Sequence, residues 1–119
     1  MDSIRVGMIG AGWIAQEHAR VLGSLPDADL VAICDLDKER AEALAQAAGA
    51  RAYLDWHELL DAEDLGALVV CTPPGVHREP AIAALERGLP VYLEKPIART
   101  AEDAAEIVAA AERTGTVCA

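Results

Sequence analysis

A short run rich in branched side chains, Ile4-Arg5-Val6-Gly7-Met8-Ile9, passes directly into Gly10-Ala11-Gly12-Trp13-Ile14-Ala15 and then into a helical stretch. This G-x-G-x-x-A pattern constrains the chain more than any other feature. It demands a strand, a tight turn and a helix in immediate succession. Gly10 permits the tight turn. Gly12 has no Cβ, so a pyrophosphate can approach the backbone, and Ala15 is small enough for the helix to pack close to the strand. The helix N-terminus offers free N–H groups and a partial positive charge to phosphates. Trp13 and Ile14 complete the turn, and Trp13 either shields a bound group or packs into the core. Taken alone, the pattern also suits an ordinary tight turn between a strand and a helix.

The rest of the chain alternates two periods. Apolar runs at Leu30–Cys34, Leu68–Cys71 and Val91–Leu93, with a weaker one at Arg51–Leu54, predict strands. Ala-rich stretches at Trp13–Gly23, Lys38–Ala48, near Trp56–Leu60, Ala81–Arg87 and Ala101–Arg113 predict helices. The expected fold class is α/β, a three-layer doubly wound parallel sheet of the Rossmann type, with helices on both faces. Gly23, Gly49, Gly88 and Gly115 each follow a helical stretch and are expected to close it in the left-handed conformation. Asp37, Asp55 and Thr100 are expected caps at helix starts, and Pro80 falls early enough in its helix to be harmless. Gly115–Ala119 reads as the opening of a sixth strand. The chain is therefore expected to be the first domain of a longer protein, truncated at or within that strand. Val91, Leu93 and Val117 should then border an uncovered edge.

Composition excludes several partners. Twenty acidic against ten basic residues give a net charge of −10. Nucleic acid needs a basic face, and an anionic membrane surface needs the same. No apolar run approaches the ~20 residues that span a bilayer. The N-terminus lacks the basic, apolar and cleavage segments of a signal peptide, so the cytoplasm is the expected compartment. Cys34, Cys71 and Cys118 form no C-x-x-C pair and have no metal-ligand spacing to His18, His57 or His77. They read as small core residues near strand ends, and no metal is expected.

Asp35 ends the second predicted strand, 25 residues after Gly10. An acidic residue there completes the dinucleotide fingerprint by hydrogen-bonding the adenosine ribose hydroxyls. It would also repel a 2′-phosphate, which favours NAD over NADP, although Lys38 and Arg40 lie close in sequence. Its other reading is a cap on the following helix. Two further motifs stand at strand ends: Cys71-Thr72-Pro73-Pro74-Gly75-Val76-His77 and Glu94-Lys95-Pro96. His77 either faces a ligand or helps to cap its helix. Lys95 is one of only two lysines. It is expected just past the carboxyl end of a strand, where open α/β sheets bind ligands. A partly desolvated lysine there could take the proton released when an alcohol is oxidised, or orient the hydroxyl. A surface lysine paired with Glu94 is the plainer reading. His18 and His57 read as packing or surface residues.

Together these motifs resemble the Gfo/Idh/MocA family of oxidoreductases, from about Ile4 to Val117. The most specific part is Val91-Tyr92-Leu93-Glu94-Lys95-Pro96, preceded by Ala84-Leu85-Glu86-Arg87-Gly88. Pro74 stands where the family commonly has Asn. The resemblance implies a cofactor-binding domain of an NAD-dependent dehydrogenase acting on a sugar, polyol or inositol. Gly10, Gly12, Trp13, Ile14 and Ala15 would line the pyrophosphate, Asp35 the ribose, and Thr72 and Pro73 the flank of the cofactor. Glu94, Lys95 and Pro96 would lie near the nicotinamide, with Lys95 and His77 as candidate catalytic groups. The resemblance also implies a second domain that binds substrate, supplies the usual acid/base group and mediates homo-oligomerisation. The alternative is a non-catalytic NAD-binding sensor or partner module, which would not need Lys95 and Pro96. A flavodoxin-like or CoA-binding domain would lack the glycine turn with Asp35.

Overall fold

A computed structural model describes residues 3–119, the side chain of Pro74 excepted. Pro74, which stands where the resembled family commonly has Asn, thus has its side chain outside the described residues. Five strands and five helices alternate: β1 (Ile4–Ile9), α1 (Trp13–Ser24), β2 (Ala28–Cys34), α2 (Lys38–Ala48), β3 (Arg51–Tyr53), α3 (Trp56–Ala62), β4 (Ala67–Val70), α4 (Arg78–Glu86), β5 (Val91–Leu93) and α5 (Ala101–Thr114). The strands form one sheet in the order β3-β2-β1-β4-β5, and every pairing is parallel. The chain builds outward from β1 to β3, then returns to start β4 on the other side of β1. That reversal opens a crevice at the carboxyl ends of β1 and β4, where such sheets take ligands.

Side-chain alternation makes the layers. Val6 and Met8 of β1 join Leu30 and Ile33 of β2 and Val69 of β4 beneath Ala15 of α1 and Ala45 of α2. Ile9, Cys34, Leu68, Val70, Val91 and Leu93 face the other way, onto Leu59, Leu85 and Ile107 of α3, α4 and α5. The register shifts between Val6 and Gly7, where β2 holds one residue more than β1. This bulge lets Val31 and Ala32 both serve the α3–α5 face and keeps the later residues in phase. At Gly7 a Cβ would stand 2.6 Å from Leu65 Cδ1, the far end of a flexible side chain, so Leu65 would have to shift to admit one.

The caps behave as expected at Asp37, Asp55 and Thr100, whose side chains accept from the N–H groups of Arg40, His57 and Asp103. Gly49, Gly88 and Gly115 adopt positive φ as expected. Gly23 does not. It lies inside α1, which continues to Ser24 and is capped by Leu25 in an extended conformation. Pro26 is the cause, because the residue before a proline is pushed out of the helical region. α4 begins three residues before its predicted start, leaving Pro80 in the first turn. There its missing N–H has no partner to lose.

The expected uncovered edge beside β5 is not found. Residues 117–119 run alongside β5 as a short parallel segment. Val91 N–H donates to Val117 O at 3.0 Å, and Leu93 N–H donates to Ala119 O at 2.8 Å. Val91 and Leu93 are buried, and only Val117 stays exposed. No helix among the described residues is long and apolar enough to cross a membrane.

Candidate cofactor site

Four strand ends meet at the crevice. Gly10 N–H donates to Cys34 O at 2.6 Å, Cys71 N–H to Ile9 O at 2.8 Å, and Glu94 N–H to Val70 O at 3.0 Å. The loops after β1, β2, β4 and β5 are thereby held in one row. That row carries the glycine turn, Asp35, Thr72, Pro73, His77, Glu94, Lys95 and Pro96.

The two glycines of the turn serve different ends. Gly10 has φ +106°, and a Cβ there would meet the carbonyl carbon of Cys71 at 2.9 Å. Its glycine is required by the protein itself. Gly12 has φ −80°. A Cβ there would find only Arg40 Nη1, at 3.8 Å. Nothing in the chain excludes a side chain at Gly12, so a tight turn alone does not explain this glycine.

Gly12 is also the cap of α1, with no side chain bonded to the helix end and no acidic residue in the first turn. By contrast, α2, α3 and α5 each carry a capping side chain and an acid in the first turn. The positive end of α1 is thus left open to an anion. Ala15 is fully buried against the sheet, and Ile14 packs beside it. Trp13 is 73% exposed, so it is not a core residue and stands beside the turn.

Asp35 is not the cap of α2; Asp37 holds that role. One carboxylate oxygen of Asp35 accepts from Ala11 N–H at 2.8 Å, and the other accepts from Asp37 N–H at 2.8 Å. It braces the glycine turn and the loop after β2 together. A carboxylate has about four lone-pair sites, so both oxygens keep capacity for a hydroxyl donor. Thr72, at the exit of β4, carries a buried hydroxyl with no hydrogen-bond partner among the described residues. Pro73 beside it is exposed. An open glycine cradle, an uncapped helix end, a braced carboxylate and an orphaned hydroxyl fit a bound dinucleotide.

His77 does not face the crevice. It is 1% exposed, and its Nδ1 lies 2.9 Å from Ile97 O and its Nε2 2.5 Å from Thr72 O. The ring stitches the loop after β4 to the loop after β5. It occupies the cap position of α4, as one sequence reading had it, but its side chain makes no cap bond. Lys95 and Pro96 are exposed at the end of β5 and are joined by a cis peptide. The alternative reading of Lys95, paired with Glu94, is not found among the described residues; Glu94 Oε2 lies 2.7 Å from His18 Nε2. His18, read from the sequence as a packing or surface residue, is thus brought against Glu94. Its signal was the stripe Ala15, His18, Ala19 and Leu22, which puts a polar ring on the sheet-facing side of α1.

His57 stays outside the site. Its Nδ1 lies 2.7 Å from Asp55 Oδ1, and its ring stacks on Trp56 at 3.6 Å. Those bonds from the ring and backbone of His57 hold the Asp55 carboxyl below its usual range. Cys34 and Cys71 are buried, and desolvation first, then neighbouring carboxylates, pushes both thiols up to about 12. No group of three or more metal-ligating side chains forms among the described residues.

Residues 4–119 match the family model GFO_IDH_MocA, described as an oxidoreductase family with an NAD-binding Rossmann fold. The chain belongs to that family. It is 38% identical over 116 residues to an inositol 2-dehydrogenase of Klebsiella pneumoniae, covering 95% of this chain and 34% of that protein. It is 36% identical over 109 residues to a glucose-6-phosphate 3-dehydrogenase of Bacillus subtilis, covering 92% of this chain and 31% of that one. Among solved structures, it resembles the WlbA dehydrogenase of Bordetella pertussis in complex with NADH and UDP-GlcNAcA. The TM-score there is 0.92 with 34% identity, over 98% of this chain and 36% of the other. The chain thus spans about a third of the length of the curated relatives it matches. Within the GFO_IDH_MocA family, it is the NAD-binding domain.

Proposed function

We propose that this chain binds NAD as the cofactor domain of a dehydrogenase. The reaction is hydride transfer between NAD and a carbinol or carbonyl carbon of a sugar, polyol or inositol. The observation that carries the proposal is Gly12, a glycine that no contact within the chain requires, at the uncapped N-terminus of α1. The names of the relatives, which include inositol and sugar-phosphate dehydrogenases, support the substrate class.

NAD, when bound, supplies the hydride acceptor. The chain's own residues do the rest of what this domain can do. The α1 N-terminus and Gly12 hold the pyrophosphate, and Asp35 holds the ribose hydroxyls while keeping the turn in shape. Asp35 places a negative charge where a 2′-phosphate would lie, so NADP is the poorer ligand. The Thr72 hydroxyl and Pro73 flank the cofactor. His77 acts by fixing the loops that carry Thr72 and Ile97, a positioning role and not a catalytic one. Lys95 offers an exposed ammonium to the substrate oxygen. The ammonium orients that oxygen by donating to it, and only as the neutral amine does the side chain receive its proton, next to Glu94 and Pro96.

A non-catalytic NAD-binding module would have no use for an unpaired lysine at this edge, which favours the enzyme. In the whole protein, a second domain would supply the substrate pocket, the acid/base partner and a homo-oligomeric interface, and the enzyme would work in the cytoplasm. Fluorescence titration with NADH and NADPH tests the cofactor part. NADH should bind, NADPH more weakly, and Gly12→Val should abolish both. Unaltered binding in Gly12→Val, or none in the parent chain, would overturn it.

A further inference from the structure

The chain carries two lysines and twice as many acidic as basic residues. Lys38 pairs with a carboxylate, its Nζ 3.7 Å from Glu42 Oε1. Lys95, the only other lysine, follows Glu94 directly in sequence yet has no carboxylate within 4.0 Å among the described residues. The reason lies on α1. The Glu94 backbone is pinned by its N–H to Val70 O at 3.0 Å, and its carboxylate is drawn to His18 Nε2 at 2.7 Å. Both partners are partly buried, and the His18 ring is set edge-on against Tyr92, with centroids 5.3 Å apart. A histidine in such a frame holds its partner better than a long flexible ammonium could.

We propose that His18 is a positioning residue. By holding the Glu94 carboxylate on α1, it keeps the neighbouring Lys95 ammonium unpaired and available to the oxygen of a carbinol or carbonyl substrate. An ammonium has three donors and no acceptor. A carboxylate within reach would compete with the substrate for them. What the ammonium serves rests on the dehydrogenase reading. The pairing itself does not, and it can be tested without nucleotide.

Competitive acetylation with acetic anhydride reads the state of each lysine, and peptide mass spectrometry separates the two. Lys38, on a different helix, is the internal reference. In His18→Ala the released Glu94 should pair with Lys95 and slow its labelling relative to Lys38 by about two- to fivefold, the range of a surface ion pair. His18→Gln, which can still donate to Glu94, should label like the parent. Adding Glu94→Gln to His18→Ala should restore the parent rate, because the competing charge is gone. Unchanged labelling in His18→Ala would overturn the proposal. So would slow labelling that Glu94→Gln does not relieve, since loosened structure and not a freed carboxylate would then be the cause. If the parent chain failed to bind NADH while the labelling followed this pattern, the cofactor reading would fall and the pairing would stand.

Discussion

The Asp35 carboxylate, at the end of β2, accepts a hydrogen bond at 2.8 Å from the backbone N–H of Ala11, in the turn after β1. The residue expected to read the ribose is therefore also part of the turn's own structure. This predicts two separable effects. Asp35→Ala should destabilise the fold by about 1.5–3 kcal/mol, the range for hydrogen bonds to a charged group, as measured by urea unfolding. Asp35→Ser should narrow the gap between NADH and NADPH affinities. A gap that does not move would confine Asp35 to bracing the turn.

Gly10 and Gly12 should respond in opposite ways. Gly10→Ala must strain a backbone at φ +106° and push against the Cys71 carbonyl, so the fold should lose about 1–3 kcal/mol or more. Gly12→Ala meets only Arg40 Nη1, at 3.8 Å, so unfolding should lose only the roughly 0.5–1 kcal/mol of an alanine at a cap position. NADH affinity should nevertheless fall by about tenfold or more, a loss of about 1.4 kcal/mol. Equal unfolding losses in both variants would contradict the assignment.

Lys95→Ala should depress turnover of the whole enzyme by about 10²–10⁴-fold while leaving NADH affinity within a few-fold of the parent. Steady-state kinetics with a polyol substrate, alongside a nucleotide titration, separates the two. A loss confined to nucleotide affinity would move Lys95 from the reacting end to the cofactor.

Glu63 lies far from the crevice and is almost wholly buried. It accepts from Arg5 at 3.0 Å and from the Tyr53 hydroxyl at 2.6 Å. The hydrogen bond to Glu63 is the main cause that raises the Tyr53 phenol above its ordinary value. The folded state therefore holds the phenolic proton more tightly than the unfolded chain. The stability this contributes is fully present below the unfolded pKa and is lost as pH rises through the folded one. Ultraviolet titration should show a late phenolate step that disappears in Tyr53→Phe and moves earlier in Glu63→Gln.

The thiols should divide by burial. With pKa values of about 12, Cys34 and Cys71 are almost entirely protonated near neutrality and closed to reagents. A disulfide reagent should modify Cys118 alone in the native protein and all three thiols in denaturant. Early loss of Cys34 or Cys71 would mean that the sheet edge opens.

Much of the fold was legible in local pattern. Strand and helix periods, the Asp37, Asp55 and Thr100 caps, and the left-handed Gly49, Gly88 and Gly115 all depend on residues within about one helical turn of one another. The helix after Gly12 was legible for the same reason. The end of α1 was misjudged because Pro26, three residues after Gly23, overrode the glycine. The edge of β5 was misjudged because its cover comes from residues 117–119, which pair with it only after α5 has crossed the sheet.

The sequence by itself determined the elements, the phosphate-binding turn and the row of motifs at strand ends, because hydrophobic period and turn chemistry are short-range. Only the tertiary structure decided which side chains meet. His18 and Glu94 are 76 residues apart, Ala11 and Asp35 are 24 apart, and His77 and Ile97 are 20 apart. Each pair is joined by the strand order β3-β2-β1-β4-β5 and by the seating of helices on it. His18 thereby came to hold Glu94, His77 became a buried stitch, and Lys95 was left without the carboxylate beside it in sequence. Adjacency along the chain could not foresee this, because a carboxylate binds whichever donor the packed fold holds nearest and most rigidly.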